Sequence, residues 1–124
     1  MKNAKRLHND ECLVYWSADD NCWIAHSLLT DQIGTGDCVV HAIADLLQAV
    51  KGLLELAAED DTIQVLKPAA AEVRKLSESA KALPREIYEI AHKMVFGGWP
   101  DDMQVEFTPK THEPFKTKLE LIAA

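Results

Sequence analysis

The stretch from Glu11 to about Leu66 constrains this chain most. Two short runs rich in aromatic and β-branched residues, Leu13 to Ser17 and Trp23 to Leu28, flank the polar cluster Asp19, Asp20 and Asn21. Turn formers between such runs signal a β-hairpin. The segment Gln32 to Asp37, with Gly34, Thr35 and Gly36 inside it, reads as a short edge strand or bend. A long amphipathic segment follows. Val39, Ile43, Leu46, Leu47, Val50, Leu53, Leu54 and Ala57 recur at three- and four-residue spacing, and His41, Asp45, Gln48, Lys51 and Glu55 fall mainly on the opposite side. That period belongs to one helix with one buried face. Asp37 stands where an N-cap belongs, because its carboxylate can accept from a free backbone N–H. Gly52 is a defect of about 1 kcal/mol relative to Ala. Glu59, Asp60 and Asp61 end the helix in acid, and Thr62 to Leu66 reads as a fourth strand closed by Pro68.

The order β-β-β-α-β predicts an α+β fold around a small antiparallel sheet over residues 1–67. Residues 68–124 are expected to add helices and a β-hairpin, packed on the same core or at an oligomer interface. Ala69 to Ala82 reads as helical. Pro84 is placed to start a further helix, Arg85 to Phe96, with Gly97 and Gly98 as its stop. Gln104 to Thr108 and Lys118 to Ala123 alternate with period two and are expected to pair across a loop from Pro109 to Lys116. On the first strand, Cys12, Val14 and Trp16 face one way and Leu13 and Tyr15 the other. Alternation alone leaves open which side is the core, and a sheet covered by a helix on one side can offer the other to a partner.

Charge narrows the function classes. The net charge is −7. Residues 1–66 hold four Lys/Arg against eleven Asp/Glu, and residues 67–124 hold nine of each, so the whole acidic excess lies on the first half. Such a surface repels phosphate backbones and attracts basic partners. With 48% apolar and 27% charged residues the composition is that of a globular protein. No apolar run approaches the length of a membrane span. The basic start, Met1 to His8, leads into no apolar signal core, and the expected compartment is the cytoplasm. Cys12, Cys22 and Cys38 are an odd set without CxxC spacing, as expected of reduced thiols.

No residue cluster makes a convincing catalytic or metal centre. Around a turn at residues 19–21, Cys12 falls opposite Ser27 and Leu28, and Cys22 lies roughly 17–20 Å further along at strand rise. One metal ion, with ligands about 2 Å away, cannot take both. His41 and Asp45 share a helix face at i, i+4, the pattern of a solvated face with no nucleophile beside it. The acidic clusters lack the order of an EF-hand loop. Gly34, Thr35 and Gly36 lack the other glycines and the lysine of a phosphate loop. A small hydrolase would need His26 and His41 to converge with a carboxylate. The expectation is therefore a non-enzymatic binding protein without cofactor or metal. Asp19, Asp20, Trp23, His26, His41 and Asp45 are its candidate partner-binding residues. Trp99, in a turn with no periodic reason for a large aromatic, reads first as a core plug and second, with Phe107, as a candidate for a homo-oligomer contact, dimeric or tetrameric.

Four pieces of the first half, taken together, resemble the HicB-like antitoxin family. Tyr15 to Trp23 is similar to that family's first hairpin, with Asp19, Asp20 and Asn21 at its acidic tip. Cys22 to His26 resembles its second strand. Gly36 and Asp37 followed by Ala42 resemble its Gly-Asp-Thr-x-x-Glu-Ala helix start, and Leu46 to Leu54 its apolar helix. Cys38 stands where Thr is usual and His41 where Glu is usual, so the capping box is lost. Leu29 to Ile33 replaces the usual Pro-Gly-Cys approach to the third strand. The resemblance implies a partial ribonuclease-H-like sheet with one helix, without nuclease carboxylates. It also implies a small basic RNA-cleaving toxin as partner, neutralised by covering its active site. Many members add a C-terminal DNA-binding module. Here the charges of Ala69 to Phe96 balance and Thr62 to Lys67 offers one lysine, so nucleic-acid binding or transcriptional regulation by the second half is the alternative, less favoured reading.

Overall fold

The computed structural model describes residues 10–97, 107, 109 and 111–120. The elements run β1 (Glu11–Ser17), β2 (Cys22–Ser27), β3 (Ile33–Gly36), α1 (Val39–Glu59), α2 (Ala71–Glu78), β4 (Lys81–Ala82), α3 (Arg85–Phe96) and β5 (Phe115–Lys118). The five strands make one sheet in the order β3-β2-β1-β5-β4. It is α+β as the pattern predicts, but the sheet is mixed and not antiparallel throughout. β4 runs parallel to β5, and the other neighbours are antiparallel.

The hairpin forms where the turn formers place it. Its register runs from Cys12 opposite Ser27 to Ser17 opposite Cys22. Asn21 takes the left-handed backbone (φ 53°) that an Asn tolerates better than most residues. Ser17 Oγ donates to Asp20 Oδ2 at 2.9 Å and accepts from the Asp20 N–H at 3.2 Å. One sheet face carries Cys12, Val14, Trp23 and Ala25 into a core with Val39, Ile43, Leu46, Leu47 and Val50 of α1 and Tyr88 and Ala91 of α3. Each aliphatic side chain fully buried in this way contributes about 1.5–3 kcal/mol. Leu13 and Ile24, which project from the other face, are buried outside that cluster, as are Val65, Ala69 and Ala80. α2 lies in contact with β1.

Gly34 and Gly36 fix how closely α1 approaches the sheet. A Cβ on Gly34 would run into the Leu46 backbone nitrogen and come within 2.5 Å of the Ala42 carbonyl oxygen. One on Gly36 would lie 2.6 Å from the Ala42 nitrogen and 2.7 Å from the His41 Cβ. The Gly-Thr-Gly run is thus a strand whose backbone touches helix backbone, a use for glycine that needs no ligand.

Several expectations are corrected. Thr62 to Leu66 is not a strand. Asp60 Oδ1 accepts from the Thr62 N–H at 2.9 Å and from its hydroxyl at 2.6 Å, which turns the chain. The segment then runs past the end of β2, where the N–H groups of Lys67 and Ala69 donate to Leu29 and Leu28 at 2.8 and 2.9 Å. Pro68, without an N–H, cannot extend a ladder there. The place beside β1 goes to β5, from the far end of the chain. Phe115 and Lys116, expected in a loop, belong to that strand, which stops at Lys118 instead of starting there. The Gln104–Thr108 strand and the end of the expected Lys118–Ala123 strand lie outside the described residues, Phe107 excepted. The Ala69–Ala82 helix is shorter than its composition suggests, because residues 81–82 leave it to pair with β5. Asp37 does not cap α1. The N-cap is Cys38, with no side-chain cap bond.

The third helix matches its expected bounds, from Arg85 after Pro84 to Phe96 before Gly97, whose φ of 103° suits glycine. It is tied to the chain after β5. The Tyr88 hydroxyl donates to the Glu120 carbonyl at 3.1 Å and accepts the Glu120 N–H at 2.6 Å. Arg85 donates to the Lys118 carbonyl at 2.8 Å and pairs with Glu120. No helix among the described residues is long and apolar enough to cross a membrane. Replacing Gly34 by Ala should lower the unfolding free energy by about 3 kcal/mol or more, because backbone stands where the methyl must go. Urea denaturation of the variant against the parent chain measures this.

Candidate functional site

The acidic residues are distributed by α1 and the strands beneath it. A helix of this length spans roughly 30 Å. It starts near the hairpin end of the sheet, since Gly36 pairs with Trp23 and touches His41, and it ends beyond the start of β3. Asp19, Asp20 and Asp37 are therefore at one end of the α1 face, and Glu55, Glu59, Asp60 and Asp61 at the other, all exposed. Between residues 10 and 66 the only Lys or Arg is Lys51. Its Nζ lies 4.0 Å from Glu55 Oε1 and 6.0 Å from the centre of the Phe96 ring.

His41 and Asp45 fall on the exposed face of α1, as their spacing requires, and border a shallow hollow with Thr35, Gln48 and Met94. Asp45 Oδ2 accepts the Thr35 N–H at 2.9 Å, so this carboxylate is engaged with the edge strand. Trp23 and His26 are inside, at 5% and 6% exposure. Trp23 meets Trp16 edge-on at 5.7 Å, and the exposed His112 stacks on Trp16 at 4.4 Å. His26 projects from the sheet face away from α1, its Nε2 lying 2.6 Å from Asp31 Oδ1. His26 pairs with Ile33 while His41 touches Gly36, three residues along β3, or roughly 10 Å. The two imidazoles do not converge. Phe107 is half-buried and packs edge-on against Phe115 at 5.9 Å. Trp99 lies outside the described residues. Cys12 and Cys22 sit at opposite ends of the hairpin, and among the described residues no group of three His, Cys, Asp or Glu could hold a metal ion.

Two features escape a reading of the sequence. The first is a buried polar network at the other end of the hairpin. Asp10 Oδ2 accepts from Ser27 Oγ at 2.6 Å and Oδ1 from the Leu29 N–H at 3.0 Å, while the Thr30 hydroxyl donates to Ser27 Oγ at 2.7 Å. Burial raises the Asp10 carboxyl above its ordinary 3.8, against the pull of those hydrogen bonds. Burial likewise pushes the Cys12 thiol well up, so it is a packing group and no nucleophile. The second is a groove of about 570 Å³ where Gln32 meets the second half of α1, lined by Ala49, Gly52, Leu53 and Leu56 among others. Leu56 is 59% exposed. Its sequence signal is that it stands off the apolar stripe that defines the helix.

No protein-family model, curated protein or solved structure matches this chain.

The raised Asp10 carboxyl has a definite sign. The folded chain holds this proton more tightly than the unfolded one, so the group's contribution rises as pH falls through the folded value and is complete below 3.8. In Asp10→Asn that acid-side gain should vanish, visible when urea midpoints of the two proteins are compared between pH 7 and pH 3.5. Asp10→Ala should cost about 3 kcal/mol at neutral pH by stranding the Ser27 hydroxyl and the Leu29 N–H.

Proposed function

We propose that this chain is a non-enzymatic docking protein whose acidic α1 face binds a small basic protein. The single observation behind this reading is the ratio of charges over residues 10–66. Eleven carboxylates face one lysine there, and every one but Asp10 and the half-buried Asp31 is exposed. Like charges held this densely on one unit repel each other and cost stability in the free protein, and a cationic partner relieves that cost. Steered association with such a partner is fast and salt-sensitive. A small RNA-cleaving toxin is the partner class that the resemblance of the first half implies, and an antitoxin-like role is the proposal in its specific form. The β-β-β-α order through α1 agrees with it. The absence of a strand at Thr62–Leu66 and the β5 strand beside β1 do not derive from it.

Nucleic-acid binding through the second half has less support. Two cations of that half are already paired at the surface, Lys81 with Glu113 and Arg85 with Glu120. Titrating the chain with the small basic product of a neighbouring gene, followed by calorimetry and by an RNA-cleavage assay, tests the docking reading. Tight binding that weakens by an order of magnitude or more from low to physiological salt, with cleavage suppressed, is the expected result. Retention on DNA or RNA with no affinity for basic proteins would transfer the function to the second half.

A further inference from the structure

We propose that the groove between Gln32, just before β3, and the second half of α1 is the seat for a basic amphipathic helix of the partner. This deepens the docking reading and rests on it. Three independent features of the groove carry the inference. The first is Gly52. It sits inside a 21-residue helix, where glycine is unfavourable, yet a Cβ there would meet nothing within 4 Å. Gly34 and Gly36 are forced by close backbone, but nothing within the described fold requires Gly52 to lack a side chain. Its open space belongs to the groove lining, one helical turn from Ala49. The second is the wall. Leu56 stands 59% exposed beside Leu53 in the groove lining. Large aliphatic groups so placed gain contact only when something covers them. The third is the rim. Glu55 and Glu59 border the groove, and Asp60 and Asp61 follow directly, all exposed. Apolar walls under an acidic rim fit a helix with leucine-like residues on one face and Lys or Arg flanking them.

A helix fits better than an added strand. The outward N–H of Thr35 on β3 is already taken by Asp45, so the ladder an incoming strand would extend is interrupted. A second copy of this chain fits worse than another protein, because each copy would bring the same acidic excess to the contact.

The probe is a capped peptide of about fourteen residues built only from Leu and Lys at three- and four-residue spacing, set against a Leu/Glu counterpart. Amide NMR shifts of the full chain report where it binds. The Leu/Lys peptide should shift Gln32 and residues 49–61, and the Leu/Glu peptide should shift nothing. Leu56→Ser should weaken binding about tenfold, the equivalent of one lost buried leucine contact. Gly52→Ala should also weaken it while raising the melting temperature by about 4 °C, since alanine suits the free helix better. Gains in stability and losses in binding from one methyl group are the signature of a surface kept open for a ligand. Unchanged affinity in both variants would overturn the groove. Shifts confined to Asp19, Asp20 and Asp37 would also overturn the groove and leave the docking reading standing. If no basic peptide or protein binds anywhere on the chain, both fall.

Discussion

Everything in this molecule depends on two places where a strand backbone lies directly against a helix backbone. Gly34 and Gly36 let β3 sit under the first turns of α1 with no side chain between them. That contact sets the height and direction of the longest helix. The height lets Ile43, Leu46, Leu47 and Val50 reach Cys12, Val14 and Ala25 in one cluster. The direction carries the carboxylates of the helix and its flanking loops to both ends of one face. Packing and electrostatics are therefore linked through two absent methyl groups.

What was legible in the sequence was local. The hairpin, α1 and α3 each announce themselves through period, turn residues and stop signals within a dozen residues, and each appears near its expected bounds. What was not legible depends on distant partners. The Gly-Thr-Gly run gives no hint that the helix starting three residues later will fold back and press on it. Thr62 to Leu66 has the residues of a strand, but strand propensity reports fitness for a half-buried pleated surface and supplies no neighbour. Phe115 to Lys118 carries two lysines in four residues and becomes a strand because β1 offers it an edge. The acidic face was foreseeable from the charge count, whereas the separation of Trp23 and His26 from that face follows from burial that alternation left undecided. Asp10 is bound to Ser27, seventeen positions away, and no local pattern predicts such a bond.

The two ends of the hairpin are stabilised by opposite means. At the tip, short polar residues bond one another in water, where such bonds contribute little to stability. At the base, Asp10, Ser27 and Thr30 are buried and mutually satisfied, which is where a lost partner is most costly. The base also anchors the later chain, since the N–H of Leu119 donates to the Asp10 carbonyl at 3.1 Å. The exposed acids and the buried anchor are thus separate sets of residues, and substitutions on the exposed acids leave the anchor's hydrogen bonds in place.

The position of β5 has a consequence for how the chain reaches this fold. β1 is the third strand of five, flanked by β2 on one side and β5 on the other, yet β5 is almost a hundred residues downstream. During synthesis β1 and β2 can zip early, and α1 can settle on them. The outer edge of β1 then stays unpaired until the ribosome has delivered residue 118, a wait of about 5–20 s at ordinary elongation rates. An uncovered edge of Cys12, Leu13 and Val14 is the kind of surface on which nascent chains mispair. Non-local closure of this sort is the slow step in sheet formation. A chain of modest size thus has a late and vulnerable final move, completed when Arg85 and Tyr88 fasten residues 117–120 in place.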